Sequence, residues 1–198
     1  MVDNLSTMPP QSPQSPPAII DIEASGFGHG SYPIEVGAIL RDGTKYCSLI
    51  LPSPDWTHWD EEAEKLHHIT RDILQTHGKP IAEVVRALNE ILRNQTAYSD
   101  GWGVDKTWLD HLFYTAGIRC EFSLSSLEMI LSEPQMEIWH ETKDQVLRDL
   151  GQKRHRASFD AQVIQETYQR TRQAAMQRAP EQRAWPLTGR AAVRLYIA

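Results

Sequence analysis

Apolar and polar positions along the chain alternate with two periods. Residues 18–24 open on Ala18, Ile19 and Ile20, continue through Asp21, Ile22 and Glu23, and stop at Ser25 and Gly26. A short β-branched run closed by glycines predicts a buried strand. Residues 33–40 and 44–51 predict two more. Asp42-Gly43 between them is a hairpin signal, so three antiparallel strands open the fold. Residues 61–69 and 70–76 read as short helices, the second capped by Thr70. Residues 80–94 place Ile81, Val84, Val85, Leu88, Ile91 and Leu92 on one helical face. Residues 96–99 predict a short strand ended by Asp100-Gly101. A helix over 104–116 carries Trp108, Leu109, Leu112, Phe113 and Ala116 as its apolar stripe and stops at Gly117. Residues 121–124 read as a fifth short strand. Residues 134–150 put Met136, Trp139, Val146, Leu147 and Leu150 on one side, and 158–177 predict a last long helix. This order predicts an α/β fold, a mixed sheet flanked by helices.

The flanks differ in composition. Residues 1–17 are rich in Pro, Ser and Gln and predict a disordered leader, either a plain tail or a ligand for a proline-binding domain. Residues 178–198, with Pro180, Trp185, Pro186 and Gly189 before an apolar end, give no structural reading. The folded domain is therefore expected over 18–177. The chain of 198 residues is long enough for one domain with a real core. Its net charge of −6 argues against holding nucleic acid on a broad basic surface, though not against gripping a strand end. Cys47 and Cys120 sit in no metal-ligand spacing and suit a reducing cytoplasm, the expected location. No apolar run approaches the length of a membrane span, and the N-terminus carries no secretory signature.

Candidate chemistry begins at Asp21 and Glu23. Alternation along a strand puts both on one face, opposite Ile20 and Ile22. Two carboxylates beside a core are costly unless neutralised, and hard oxygen ligands suit Mg²⁺ or Mn²⁺. The plain alternative is a solvated strand end with two surface acids. Asp105 precedes Trp108 and Leu109 by three and four residues, so it begins their buried face. Asp160 falls in the first turn of the last helix, on the face of Val163 and Ile164. Each alone reads as an acid favoured by a helix N-terminus. Together the four can converge at one end of the first strand, where two cations would serve phosphoryl transfer. His155, in the basic connector Lys153-Arg154-His155-Arg156, is either a proton acceptor near those cations or a surface residue, one of eight histidines. Trp56 and Trp59 either stack on bases or pack over the sheet edge.

Four segments carry a family resemblance. Asp21-x-Glu23 followed by Ile34-Glu35-Val36-Gly37-Ala38 resembles the first motif of the DEDDh, or DnaQ-like, 3′–5′ exonucleases. Asp105-Lys106-Thr107-Trp108-Leu109 is similar to the second, and His155-Arg156-Ala157-Ser158-Phe159-Asp160-Ala161 to the third, H-x-A-x-x-D-A. Leu66-His67-His68-Ile69-Thr70 is similar to the V-H-G-I-T segment between them. The resemblance implies a ribonuclease H-like five-stranded sheet and hydrolysis of nucleic acid from the 3′ end to nucleoside monophosphates. It implies that Asp21, Glu23, Asp105 and Asp160 hold two Mg²⁺ or Mn²⁺, that His155 is the general base, and that Ala24 and Ser25 contact the terminal nucleotide. Single-stranded or 3′-end DNA is the implied partner. RNA trimming, oligonucleotide clearance and a non-catalytic nucleic-acid-binding scaffold stay open, as do a protein partner and a homodimer. The chain departs from the pattern at Val104 and Asp100-Gly101-Trp102, which makes Asp100 a rival of Asp105, and at His68, where glycine is common.

Overall fold

The computed structural model describes residues 15–28, 30–151 and 155–178. Most of the expected leader, nearly all of the tail, and Lys153 and Arg154 of the connector lie outside the described residues. Pro17 is already buried, and its carbonyl accepts from the Gln165 side chain at 2.8 Å. Packing among the described residues therefore extends to Pro17, one residue before the expected boundary at residue 18.

Strand β1 (Ala18–Ala24) lies at the centre of the sheet, between β2 (Pro33–Ile39) and β4 (Thr96–Ser99), with β3 (Lys45–Leu49) and β5 (Ser123–Ser126) at the edges. The order is β3-β2-β1-β4-β5. β1, β2 and β3 pair antiparallel, while β4 joins β1 and β5 joins β4 in parallel. The hairpin expected at Asp42-Gly43 is present, with Gly43 at φ 86°, a left-handed conformation that glycine adopts without steric cost.

Alternation along β1 separates two cores. Ala18, Ile20 and Ile22 face the larger one, with Ile34, Val36 and Ala38 from β2. Helix α3 (Ile81–Leu92) adds Val84, Val85, Leu88 and Leu92, and helix α4 (Trp102–Ala116) adds Leu109, Leu112 and Phe113. Ile19 and Ile39 face the other side, against Leu127, Trp139, Ala161 and Ile164. Helix α6 (Ala157–Arg178) packs there on β1 and β2, and α5 (Glu133–Leu150) packs on α6. The described elements also include short helices α1 (Glu61–His67), capped by Asp60, and α2 (Arg71–His77), capped by Thr70 as its sequence suggests.

Several limits depart from expectation. Helix α4 starts at Trp102 rather than Val104, because the Asp105 N–H already bonds the Gly101 carbonyl at 3.1 Å. Strand β5 runs two residues later than predicted, since its parallel register pairs Thr96 with Ser123 and Ser99 with Ser126. A single 3₁₀ turn, Leu127–Ile130, follows it, too short for periodicity to disclose.

Candidate active site

The α6 side of β1 carries the acids. Asp21 lies opposite Gly37 and Glu23 opposite Glu35 in the antiparallel register. A β-carbon on Gly37 would come within 2.2 Å of the backbone of Ala157 and Ser158. Glycine there lets the first turn of α6 lie directly on the sheet and brings Asp160 over Asp21 and Glu23. A register shift after Glu23 then turns the chain out of the strand.

Glu35 fixes the loop before α6. Fully buried, it accepts from Arg156 Nε at 3.1 Å, Arg156 Nη2 at 2.6 Å and the Ala157 N–H at 2.9 Å. A charge-assisted fork of this kind holds geometry as well as charge. His155 takes φ 64°, and its N–H donates to Asp160 Oδ2 at 2.8 Å. Asp160 thus both faces the cavity and anchors the histidine. One ligand atom from each of Glu23, His155 and Asp160 lies within 4.8 Å of the others.

On the other flank, Ser99 ends β4 and donates its hydroxyl to Asp105, while the Gly101 N–H donates to the same hydroxyl at 3.0 Å. Asp105 is 3% exposed and also accepts from the backbone of Ile22. It is not among the residues that line the cavity or that group with Glu23, His155 and Asp160. Asp100 instead lines the cavity, about 230 Å³ in volume, with Asp21, Glu23, His155 and Asp160. Lys143 of α5 reaches the same cavity and binds Asp100 at 2.6 Å. The two rivals therefore stand apart: Asp105 is the buried acid bound by Ser99, and Asp100 lines the cavity paired with Lys143.

Crowding shows in the proton affinities. Burial first, then the charges of Asp105, Glu23, Asp160 and Asp100, pushes Asp21 well above the usual carboxylate range. Burial, with Asp160, Glu35 and Asp105 nearby, raises Glu23 to about 7. Burial also raises Asp105 to about 7, against the hydrogen bond from Ser99. Carboxylates that resist ionisation together are relieved by a divalent cation, and an oxygen-rich set with one imidazole fits Mg²⁺ or Mn²⁺. The cluster of Glu23, His155 and Asp160 fits a divalent cation.

Ala24 and Ser25 are both buried. Ser25 donates its N–H to the Tyr32 carbonyl at 2.9 Å and accepts from the Asp60 N–H at 2.8 Å, and its hydroxyl accepts from the Tyr32 N–H at 3.1 Å. These bonds hold the loop after β1. Phe27, in the same loop, is 64% exposed. Of the two loop tryptophans, Trp56 is buried and stacks on Tyr32 at 5.1 Å, the packing alternative. Trp59 donates to Glu64 and lies under Arg71. His68 takes φ 57° as the C-cap of α1, which explains why glycine suits this position.

Sequence reasoning assigned no role to Glu35 or Lys143. Both left a signal. Glu35 is the one acid in the apolar run of β2, and Lys143 follows Trp139 by four residues and precedes Val146 and Leu147 by three and four, inside the apolar stripe of α5.

The sheet order, its mixed pairing and the helices on both faces define a ribonuclease H-like α/β fold. Solved structures of E. coli exonuclease I share it. The complex with a dA16 oligonucleotide superposes with a TM-score of 0.57 at 14% identity, covering 85% of this chain and 42% of that one. The zinc-bound complex with single-stranded DNA gives 0.54 at 14% identity, covering 86% and 42%. A complex with a labelled dT13 oligonucleotide gives 0.57 at 14%, covering 85% and 43%. This chain spans less than half the length of those enzymes. No protein-family model and no curated protein sequence matches it.

Proposed function

We propose that this protein is a metal-dependent 3′–5′ exonuclease acting on single-stranded DNA. The observation that carries the reading is the meeting of Glu23, His155 and Asp160 within 4.8 Å, beside Asp21 and Asp105. The shared fold with exonuclease I, whose structures hold DNA oligonucleotides, supports it.

Asp21, Glu23, Asp105 and Asp160 would hold two Mg²⁺ or Mn²⁺. Bound there, the cations supply positive charge that polarises the phosphoryl group and steadies the charge developing on it. His155 accepts a proton from the attacking water, with its backbone held by Asp160. Water adds to phosphorus, the bond from phosphorus to the 3′ oxygen of the remaining strand breaks, and that oxygen takes up a proton. The products are a nucleoside 5′-monophosphate and a strand one nucleotide shorter. Ala24 and Ser25 form the rigid wall of the loop. Phe27 offers an exposed ring on which the terminal base can stack.

The test is digestion of 5′-labelled single-stranded DNA and RNA. DNA shortens stepwise from its 3′ end with Mg²⁺ or Mn²⁺, and EDTA stops it. Asp21→Asn lowers the rate about 10²–10³-fold, the usual loss of one preorganised electrostatic group. A purified protein that binds neither Mg²⁺ nor Mn²⁺ in calorimetry and shortens no DNA or RNA overturns the proposal and leaves a binding scaffold.

A further inference from the structure

Asp100 and Lys143 line two hollows at once. On one side is the acidic cavity. On the other is a groove of about 290 Å³ between the 3₁₀ turn and α5, at the small end of the ~300–1,000 Å³ typical of ligand sites. Leu127, Leu131, Met136 and Trp139 make the apolar wall of this groove. Its polar groups, besides the Asp100–Lys143 pair, are Glu128 and His140. The ion pair at 2.6 Å is thus a low partition between a cation-binding cavity and an apolar slot. Lys143 is only about a quarter exposed, so its ammonium is held at the partition rather than swinging in solvent.

We propose that the groove is a nucleobase subsite of the substrate strand, and that Lys143 binds the phosphate joining that nucleotide to the one in the acidic cavity. The proposal rests on the nuclease reading above. Its physical basis is the juxtaposition itself. A nucleic acid strand presents an apolar face and a negative charge in alternation, and the molecule presents an apolar slot, a lysine and a cation site in the same order. Met136, 44% exposed, gives the slot a soft and adaptable wall that takes any base. Glu128 and His140 meet a base through its polar edge. Lys143 also offsets part of the Asp100 charge where a phosphate must enter. Each base stacked in such a slot adds affinity without reading sequence.

The experiment compares two substrates and a binding assay. Hydrolysis is measured on a thymidine 5′-monophosphate p-nitrophenyl ester, which fills only the acidic cavity, and on a dT oligonucleotide, which fills the groove too. Affinity for the labelled oligonucleotide is read by fluorescence anisotropy in EDTA, where nothing is cleaved. Met136→Ala and Lys143→Ala each weaken oligonucleotide binding about tenfold, raise its KM, and lower the oligonucleotide-to-ester ratio of kcat/KM about tenfold. The salt dependence of binding flattens by about 0.7 for Lys143→Ala, the share of one phosphate contact on a single strand, and not for Met136→Ala. Lys143→Arg restores most of the affinity. Variants that bind the oligonucleotide as the wild type does, or that lose ester and oligonucleotide hydrolysis equally, overturn the subsite. A wild type that hydrolyses neither substrate overturns the nuclease reading and the subsite with it.

Discussion

Glu35 shows how one side chain governs a site it does not enter. It is an acid with no exposed surface, opposite Glu23, and it ties Arg156 and the Ala157 N–H to β2. Those bonds set the height of His155 above the cavity. Glu35→Gln keeps an acceptor for the Ala157 N–H but loses the charge-assisted fork. Arg156 is half exposed and can turn to water, so the loss is nearer the ~1–3 kcal/mol of an unmade polar contact than the full cost of a buried ion left alone. At about 2–4 °C per kcal/mol for a domain of this size, Tm falls by a few degrees. Activity falls further than stability does, about tenfold in kcat with KM little changed, because the loop loosens where proton transfer needs a fixed distance. Calorimetry with steady-state kinetics checks the split. Equal KM and kcat effects would make Glu35 a general structural residue. The left-handed turns at His68 and His155 belong to the same scale: each is a single strained residue that closes a loop, and neither strain is visible in residue type.

Among the elements, those with long apolar periods were legible and those fixed by pairing were not. The alternation of β1, the apolar run of β2 and the stripe of α3 reappear in the structure where the sequence predicts them. Strand β5 reads Ser123-Leu124-Ser125-Ser126, with one apolar side chain, so its limits come from the register with β4. Asp100 and Asp105 both stand near a helix start. Only the Ser99–Gly101 turn, which binds one and leaves the other to Lys143, separates them. The contact between α6 and β2 is also hidden, since any small residue at position 37 would read alike. Gly37→Ala tests it. The added methyl meets backbone at 2.2 Å and cannot be relieved by a rotamer change. Overpacking costs about 1–3 kcal/mol or more. The expected result is a fall in Tm of at least about 2–4 °C, with Mg²⁺-dependent stabilisation weakened because Asp160 moves with the helix. A variant with wild-type Tm and wild-type Mg²⁺ response would show that the helix does not press on the sheet at this point.

At the scale of the whole molecule, the raised carboxylates couple stability, pH and metal. Glu23 and Asp105 titrate near 7 when folded, against ordinary values of 4.5 and 3.8, and Asp21 is raised as well. Between those limits the native state holds more protons than the unfolded one. The slope of unfolding free energy with pH is then negative, so stability from these groups is full below their unfolded values and is lost as pH rises through about 7. The surface acids lowered by local hydrogen bonds, Asp42, Asp55 and Asp149, titrate below this window, and His67, lowered by burial, opposes the trend as one group against three. In EDTA, Tm therefore falls from pH 5.5 to pH 8. Divalent cations bind the ionised form, so the gain in Tm from Mg²⁺ is small at pH 5.5 and largest at pH 8, and binding releases protons. Asp21→Asn removes one charge from the cluster. It raises Tm in EDTA at pH 8 while abolishing most of the Mg²⁺ gain, so that one substitution stabilises the metal-free fold and disables the site. Scanning calorimetry across pH with EDTA or Mg²⁺, and titration in two buffers of different ionisation enthalpy, read both effects. A Tm in EDTA that climbs from pH 5.5 to 8 would mean that these acids ionise freely, with no crowding for a cation to relieve.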